Sequence, residues 1–169
     1  MESSHEYLID DWLVHAAFGI GQIVGIEEKG ISGTSVAYFK IRTTDSTFWV
    51  PVDRMDGEEM RPLFGIADIQ LVIAALLRPP RAMPSNSQMR KNEIQRVLLL
   101  NSPVDSARLV RDLRARQRER GSLNLEELNA MRSLKRRLVE EWGMVTGSSA
   151  DTIDSEIDDL LNARQPPAN

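Results

Sequence analysis

Between residues 87 and 137 the chain carries thirteen Arg and Lys residues against six Asp and Glu, a local excess of +7 in a protein whose total is −4. Cationic side chains at this density can neutralise phosphates, and such contacts position a protein on nucleic acid without reading its bases. Arg90 and Lys91 are adjacent. Arg108, Arg111, Arg114 and Arg118 recur at helical spacing, on one side of their segment and away from Leu109, Val110 and Leu113. Two readings of these arginines stand side by side, a phosphate-facing stripe and an ordinary solvated helix surface. Arg111 followed by Asp112 reads equally well as an ion pair inside a helical bundle. Lys135-Arg136-Arg137 fans around its helix and so cannot be one patch.

Catalytic chemistry finds no matching set. Gly19, Gly21 and Gly25 are spaced G-x-G-x-x-x-G and continue into a strand, whereas a dinucleotide loop needs a helix N-terminus there to hold the pyrophosphate. These glycines instead permit bends in a tightly curved strand. His5 and His15 have no second ligand at metal spacing. Asp10-Asp11 and Glu58-Glu59 are adjacent pairs whose side chains diverge, which suits no acid–base couple. The absence of cysteine removes thiol nucleophiles, thiolate metal sites and disulfides, and agrees with a reducing cytoplasm. The expectation is a binding protein and not an enzyme, with no cofactor, no metal and no small-molecule substrate.

The elements that must carry these side chains change type near Pro62. Phe18 to Lys29 combines clustered glycines with period-two apolar residues, Tyr38-Phe39-Lys40-Ile41-Arg42 alternates again, and a third run ends at Phe48-Trp49-Val50-Pro51-Val52. Three short strands cut by glycine-containing turns, as in Ile31-Ser32-Gly33-Thr34, predict a compact barrel-like β module. Alternation puts Trp49 on the face opposite Val50 and Val52, which favours exposure, while its residue type also suits a barrel core.

Beyond Pro62, Ile66, Ile69, Val72, Ile73, Leu76 and Leu77 follow helical spacing until Arg78-Pro79-Pro80 stops them. Pro79 to Ser87 reads as a boundary. Helices are then expected from Ser87 to about Leu100, from a Ser102-Pro103 start to Arg120 with Gly121 as the stop, from Asn124 to Gly143 or Gly147, and from Ser149 to Ala163. Their apolar stripes, among them Leu125, Leu128, Met131, Leu134, Leu138 and Trp142, are expected to converge on one bundle core.

With 41% hydrophobic and 27% charged residues over 169 positions, the composition is globular and allows two small domains. Charge is segregated: residues 1–65 are net −6 and residues 138–169 are again −6, so the basic stretch is framed by acidic ones. The apolar run Ile66 to Leu77 is broken by Asp68 and Gln70 and is too short to span a bilayer. Met1 to Glu6 has no apolar signal core. The expected location is the cytoplasm, with no membrane partner.

Gly19 to Glu28, Ile31-x-Gly33, Tyr38, Val50-Pro51-Val52, Arg61-Pro62, Leu109-Val110-Arg111-Asp112-Leu113 and Glu119-Arg120-Gly121 occur in a specific order and spacing. In that order they resemble the CarD/CdnL family of bacterial RNA-polymerase-binding transcription regulators. The first module also resembles the related domain of the transcription-repair coupling factor. The resemblance spans roughly Trp12 to Leu161. It implies an α+β fold in which a small N-terminal Tudor- or SH3-like β-barrel is followed by an all-α C-terminal helical bundle. Residues 1–65 would be the RNA-polymerase-interacting domain, 66–86 a helix and linker, 87–163 the DNA-contacting helical domain and 164–169 a flexible tail.

The same resemblance implies partners. The barrel would dock by sheet contacts on the RNA polymerase β subunit, and the bundle would touch promoter DNA weakly, through backbone contacts beside the transcription bubble. Lys29 and Trp49 align with the family's polymerase contacts, and Lys40 and Arg42 complete the expected polymerase-binding set. Met89, Arg90, Lys91, Arg108, Arg111, Arg114 and Arg118 form the expected DNA-binding set.

One departure concerns the DNA side. Typical members carry a tryptophan near the start of the helical domain that wedges into the minor groove, and counting back from Arg111 puts Ser87 there. A wedge works by filling the space of an unstacked base step, which a serine cannot do. Met89 is the candidate substitute, although methionine is also a common core filler. The implied function is modulation of open-complex formation. The reading from another class is a protein–protein adaptor, or a divergent paralogue that holds the polymerase site with little DNA activity.

Overall fold

One long strand and one extra residue in it shape the first half of the molecule. The computed structural model describes residues 6–163 except 32, 56 and 58, and the chain divides into two compact units, Met1–Leu63 and Phe64–Asn169. His5 with the first residues of the chain, Glu58, and the tail 164–169 lie outside the described residues.

The first unit is a five-stranded antiparallel sheet of β1 (Trp12–His15), β2 (Gly19–Ile31), β3 (Thr34–Arg42), β4 (Thr47–Pro51) and β5 (Met60–Pro62), in the spatial order β4-β3-β2-β1-β5. Sequence patterning gives the three longer strands. At four and three residues, β1 and β5 are too short for alternation to mark them. The thirteen-residue β2 pairs with β1 through its first part and with β3 through its second, and the β2–β3 register slips between Ile23 and Gly25. An extra residue on one strand bends it and sharpens the twist, so the sheet curls over Leu13, Ile23, Phe39, Ile41 and Met55. At Gly21 the curl leaves no room for a side chain, because a Cβ would lie 2.7 Å from Ile41 Cγ2. Gly33 takes φ +86° in the β2–β3 turn, where glycine meets no steric penalty. Among the described residues no ladder joins β4 to β5, so the sheet ends in two edges.

The second unit contains α1 (Ile66–Leu77), α2 (Ser87–Leu100), α3 (Pro103–Arg120), α4 (Leu125–Thr146) and α5 (Ala150–Asn162). The side chains of Asn86, Ser102, Asn124 and Ser149 each accept the amide three residues on, opening α2 to α5. Asn101, Gly121 and Gly147 close α2, α3 and α4 in left-handed conformations. Gly143 lies inside α4. Helix α3 packs on α1, α2 and α4, while α5 packs on α4 and α1. Their common core includes Val72, Leu76, Ile94, Leu113, Leu134, Leu138, Trp142, Ile153 and Ile157. Ile66 and Leu125, expected on apolar stripes, are 71% and 73% exposed. Each is the first residue of its helix, where the stripe has not yet reached the core. Among the described residues no helix is long and apolar enough to cross a membrane.

Candidate functional site

Strand register decides which side chains meet on the sheet. Lys40 lies opposite Trp49, and Tyr38 lies opposite Glu27. Period two then puts Glu27, Lys29, Tyr38, Lys40, Arg42 and Trp49 on one face. Glu27 joins the three strands: the Trp49 indole Nε1 donates to its Oε2 at 2.8 Å, and Lys40 Nζ donates to its Oε1 at 2.8 Å. These two hydrogen bonds hold the Glu27 carboxyl below the usual glutamate range. Lys29 Nζ stands 3.9 Å from the centroid of the indole and 5.6 Å from that of Tyr38, and Lys40 Nζ stands 5.8 Å from the indole. A cation over a ring is drawn to the negative face of its quadrupole.

Trp49 is 38% exposed, while its neighbours Phe48 and Val50 turn the other way and pack against the core. The ring therefore does not fill the core of the sheet. Arg42 is exposed further along β3 and forms no ion pair among the described residues. Beside this face, β4 pairs with β3 alone among the described residues, leaving its other side as an open edge. Lys29, Trp49 and Lys40 are thus brought together, with Arg42 on the same face. Sequence reasoning missed Glu27 and Tyr38 as members of this face, although the alternations Glu27-Glu28-Lys29 in β2 and Tyr38-Phe39-Lys40 in β3 carry both. His15 is buried and staples the β1–β2 turn: its Nδ1 accepts the amides of Ala17 and Phe18 at 3.0 and 3.4 Å, and its ring packs on Phe18 and Phe48.

The helical unit disperses the arginines that periodicity grouped. Arg90 is buried, and its guanidinium is occupied by Glu127 and by the carbonyls of Pro84 and Ser85 at 2.8 and 2.6 Å. Arg111 is buried as well, donating to Asp112 at 2.8 Å and to the Ala75 carbonyl at 2.9 Å. Neither can reach a phosphate without unpicking the core, so the expectation for these two is corrected; the ion-pair reading of Arg111-Asp112 is the one that holds. Arg118 donates to the Leu161 carbonyl and to Asn162, at the C-terminal end of α5. Burial and the neighbouring Arg114 push its pKa down. Arg114 donates to Gln117 at 3.1 Å, and its Nε is buried without a hydrogen-bond partner among the described residues.

The remaining members of the expected set face solvent. Lys91 is exposed, 3.8 Å from Glu126, and Arg108 is exposed, 3.1 Å from Asp105. Met89 stands in the first turn of α2 at 59% exposure, so it is not core filler. It borders a groove of about 710 Å³ that also takes in Arg108, Arg78, Arg81 and Arg96. Sequence reasoning missed the last three: Arg78 and Arg81 were absorbed into a helix stop and a linker, and Arg96 falls outside the α3 periodicity. The signal available for Arg78 and Arg81 was their position on either side of Pro79 and Pro80, and for Arg96 the basic surplus of residues 87–137.

Comparison with known families agrees with both halves. A model described as the CarD-like/TRCF RID domain matches residues 7–64, and one described as the CarD C-terminal domain matches residues 71–158, more than half of the chain. The curled sheet with its exposed aromatic–cation face thus falls in the first match and the five-helix unit in the second, and the chain belongs to the CarD family of RNA-polymerase-interacting transcription regulators.

Proposed function

We propose that this protein docks on the β subunit of RNA polymerase through the open edge of β4 and contacts promoter DNA through the groove beside Met89. One observation carries the first part: an indole held out of the core, flanked by Lys29 and Lys40, beside a strand edge that no other strand covers among the described residues. A free edge offers main-chain donors and acceptors to an added strand, and an aromatic anchor with flanking charges adds specificity. The curled sheet plays the part of the Tudor- or SH3-like module. Docking raises the local concentration of the helical unit at the promoter, and its cations then bias the closed-to-open equilibrium through phosphate contacts. The role is binding in the bacterial cytoplasm, not catalysis.

A second observation favours a weak DNA hand. Ser87 begins α2 where the family's wedge is expected, and two of the expected cations are buried. The only apolar side chain we assign to the wedge is Met89, which reaches out from the groove rim. The test of docking is retention of the full chain on an isolated β-subunit fragment. The wild type is expected to be held, and the double variant Lys29→Glu, Trp49→Ala is expected to pass through with its far-ultraviolet circular dichroism unchanged. Equal retention of the two would overturn the contact assignment, and an unaltered open-complex lifetime with Met89→Ala would overturn the wedge.

A further inference from the structure

We propose that Glu27 is a positioning residue that presets the Trp49 side chain for docking, an inference that rests on the docking reading above. An exposed tryptophan on an edge strand can sample several rotamers, and a partner that needs one of them must freeze the rest on binding. Here the ring is already fixed from two directions. The indole N–H is bonded to Glu27 Oε2 at 2.8 Å, in the plane of the ring, and Lys29 lies over its face at 3.9 Å from the centroid.

Glu27 suits this task by its reach and its two oxygens. It sits on β2, its two donors sit on β4 and β3, and each takes a different oxygen. A shorter carboxylate would not span from the middle strand to both. The carboxylate also decides which charges a partner meets. It neutralises Lys40 directly, leaving Lys29 as the cation over the ring. The groups facing Glu27 are Lys29 on β2, Tyr38 and Lys40 on β3, and Trp49 on β4, so the two ammonium groups are the charged neighbours that keep it ionised. The partner surface this presents for is an apolar patch rimmed by carboxylate, the complement of an indole with a free ammonium above it.

The test uses the full chain labelled with nitrogen-15, reading the indole N–H resonances of its three tryptophans. Trp49→Phe assigns the resonance of interest. In the wild type that resonance is expected to move during an acid titration, at a pH below the ordinary glutamate range, as Glu27 takes up its proton. Glu27→Gln removes the titration step but keeps an oxygen for the indole N–H, so the resonance stays bonded in position. Glu27→Ala moves it to the value of a solvated indole. On the isolated β-subunit fragment, Glu27→Ala is expected to weaken binding roughly tenfold, the scale of one side chain that must be immobilised anew, with Glu27→Gln in between. A Trp49 resonance indifferent to Glu27, or an alanine variant that binds as tightly as the wild type, would overturn the positioning role. Failure of the wild type itself to bind the fragment would overturn the docking reading, and the resonance experiment separates the two results.

Discussion

Glu127 lies buried between two arginines, with Arg90 on one oxygen and Arg116 Nε 3.5 Å from the other, and the Asn124 amide donates to it at 3.3 Å. A buried charge deprived of its partner keeps its desolvation penalty and loses its compensation. Arg90→Ala is therefore expected to destabilise the helical unit by about 3–5 kcal/mol in a chemical denaturation series. Removing Glu93 from the exposed Arg96 pair should change stability by no more than about 0.5 kcal/mol. Burial pushes the Glu127 carboxyl up, but the Arg90 bond, the Asn124 amide and Arg116 outweigh it and hold the group below the usual glutamate range. A depressed carboxylate stabilises the fold above its unfolded pKa, about 4.3 for a free glutamate, and that stability is lost as pH falls through the lower folded value. Acid unfolding should accordingly steepen below about pH 4.3 in the wild type and flatten in Glu127→Gln. Residue type alone could not separate Arg90 from Lys91, since the partner that captures Arg90 lies 37 positions away.

Among elements, the helices were legible and the sheet was legible only in part, for reasons of range. A helix end is written within four residues, so Ser102 with Pro103, Asn124 with Glu127, and Ser149 could be read directly, as could the stops at Gly121 and Gly147. Ser149→Ala is expected to cost about 1 kcal/mol, because the Thr152 amide loses its acceptor, and a thermal melt of the variant checks it. Strands β1 and β5 acquire their pairing from β2 and from each other across many intervening residues, and nothing local announces them. The slip at Ile23 and Gly25 is equally non-local, since a bulge is defined by the strand opposite. The sheet face was readable where alternation is strict, which is why Trp49 came out on the correct side of β4. Glu27 escaped notice because a carboxylate among charged neighbours looks like a solvated charge until register brings it to the indole N–H.

For the molecule as a whole, charge segregation divides the labour. The first 65 residues are net −6 and would be repelled by phosphates, so duplex binding by the free protein is expected to come from the helical unit. If Arg78, Arg81, Arg96 and Arg108 meet about four phosphates, log K should fall with log salt at a slope near −3.6. Arg108→Gln should lower that slope by about 0.9, whereas a slope near zero in fluorescence anisotropy would remove the groove from the DNA-facing surface. The proline segment after α1 belongs to the helical unit. Arg81 gives its amide to Asp112, and the Pro84 and Ser85 carbonyls are taken by Arg90, so this stretch is stitched into the bundle. At the other end Phe64 is buried, with its amide donated to Glu141 at 2.7 Å, while β5 runs to Pro62. The proline stretch is therefore a fixed strap of the helical unit, and its bonds leave that unit no slack of its own between α1 and α2.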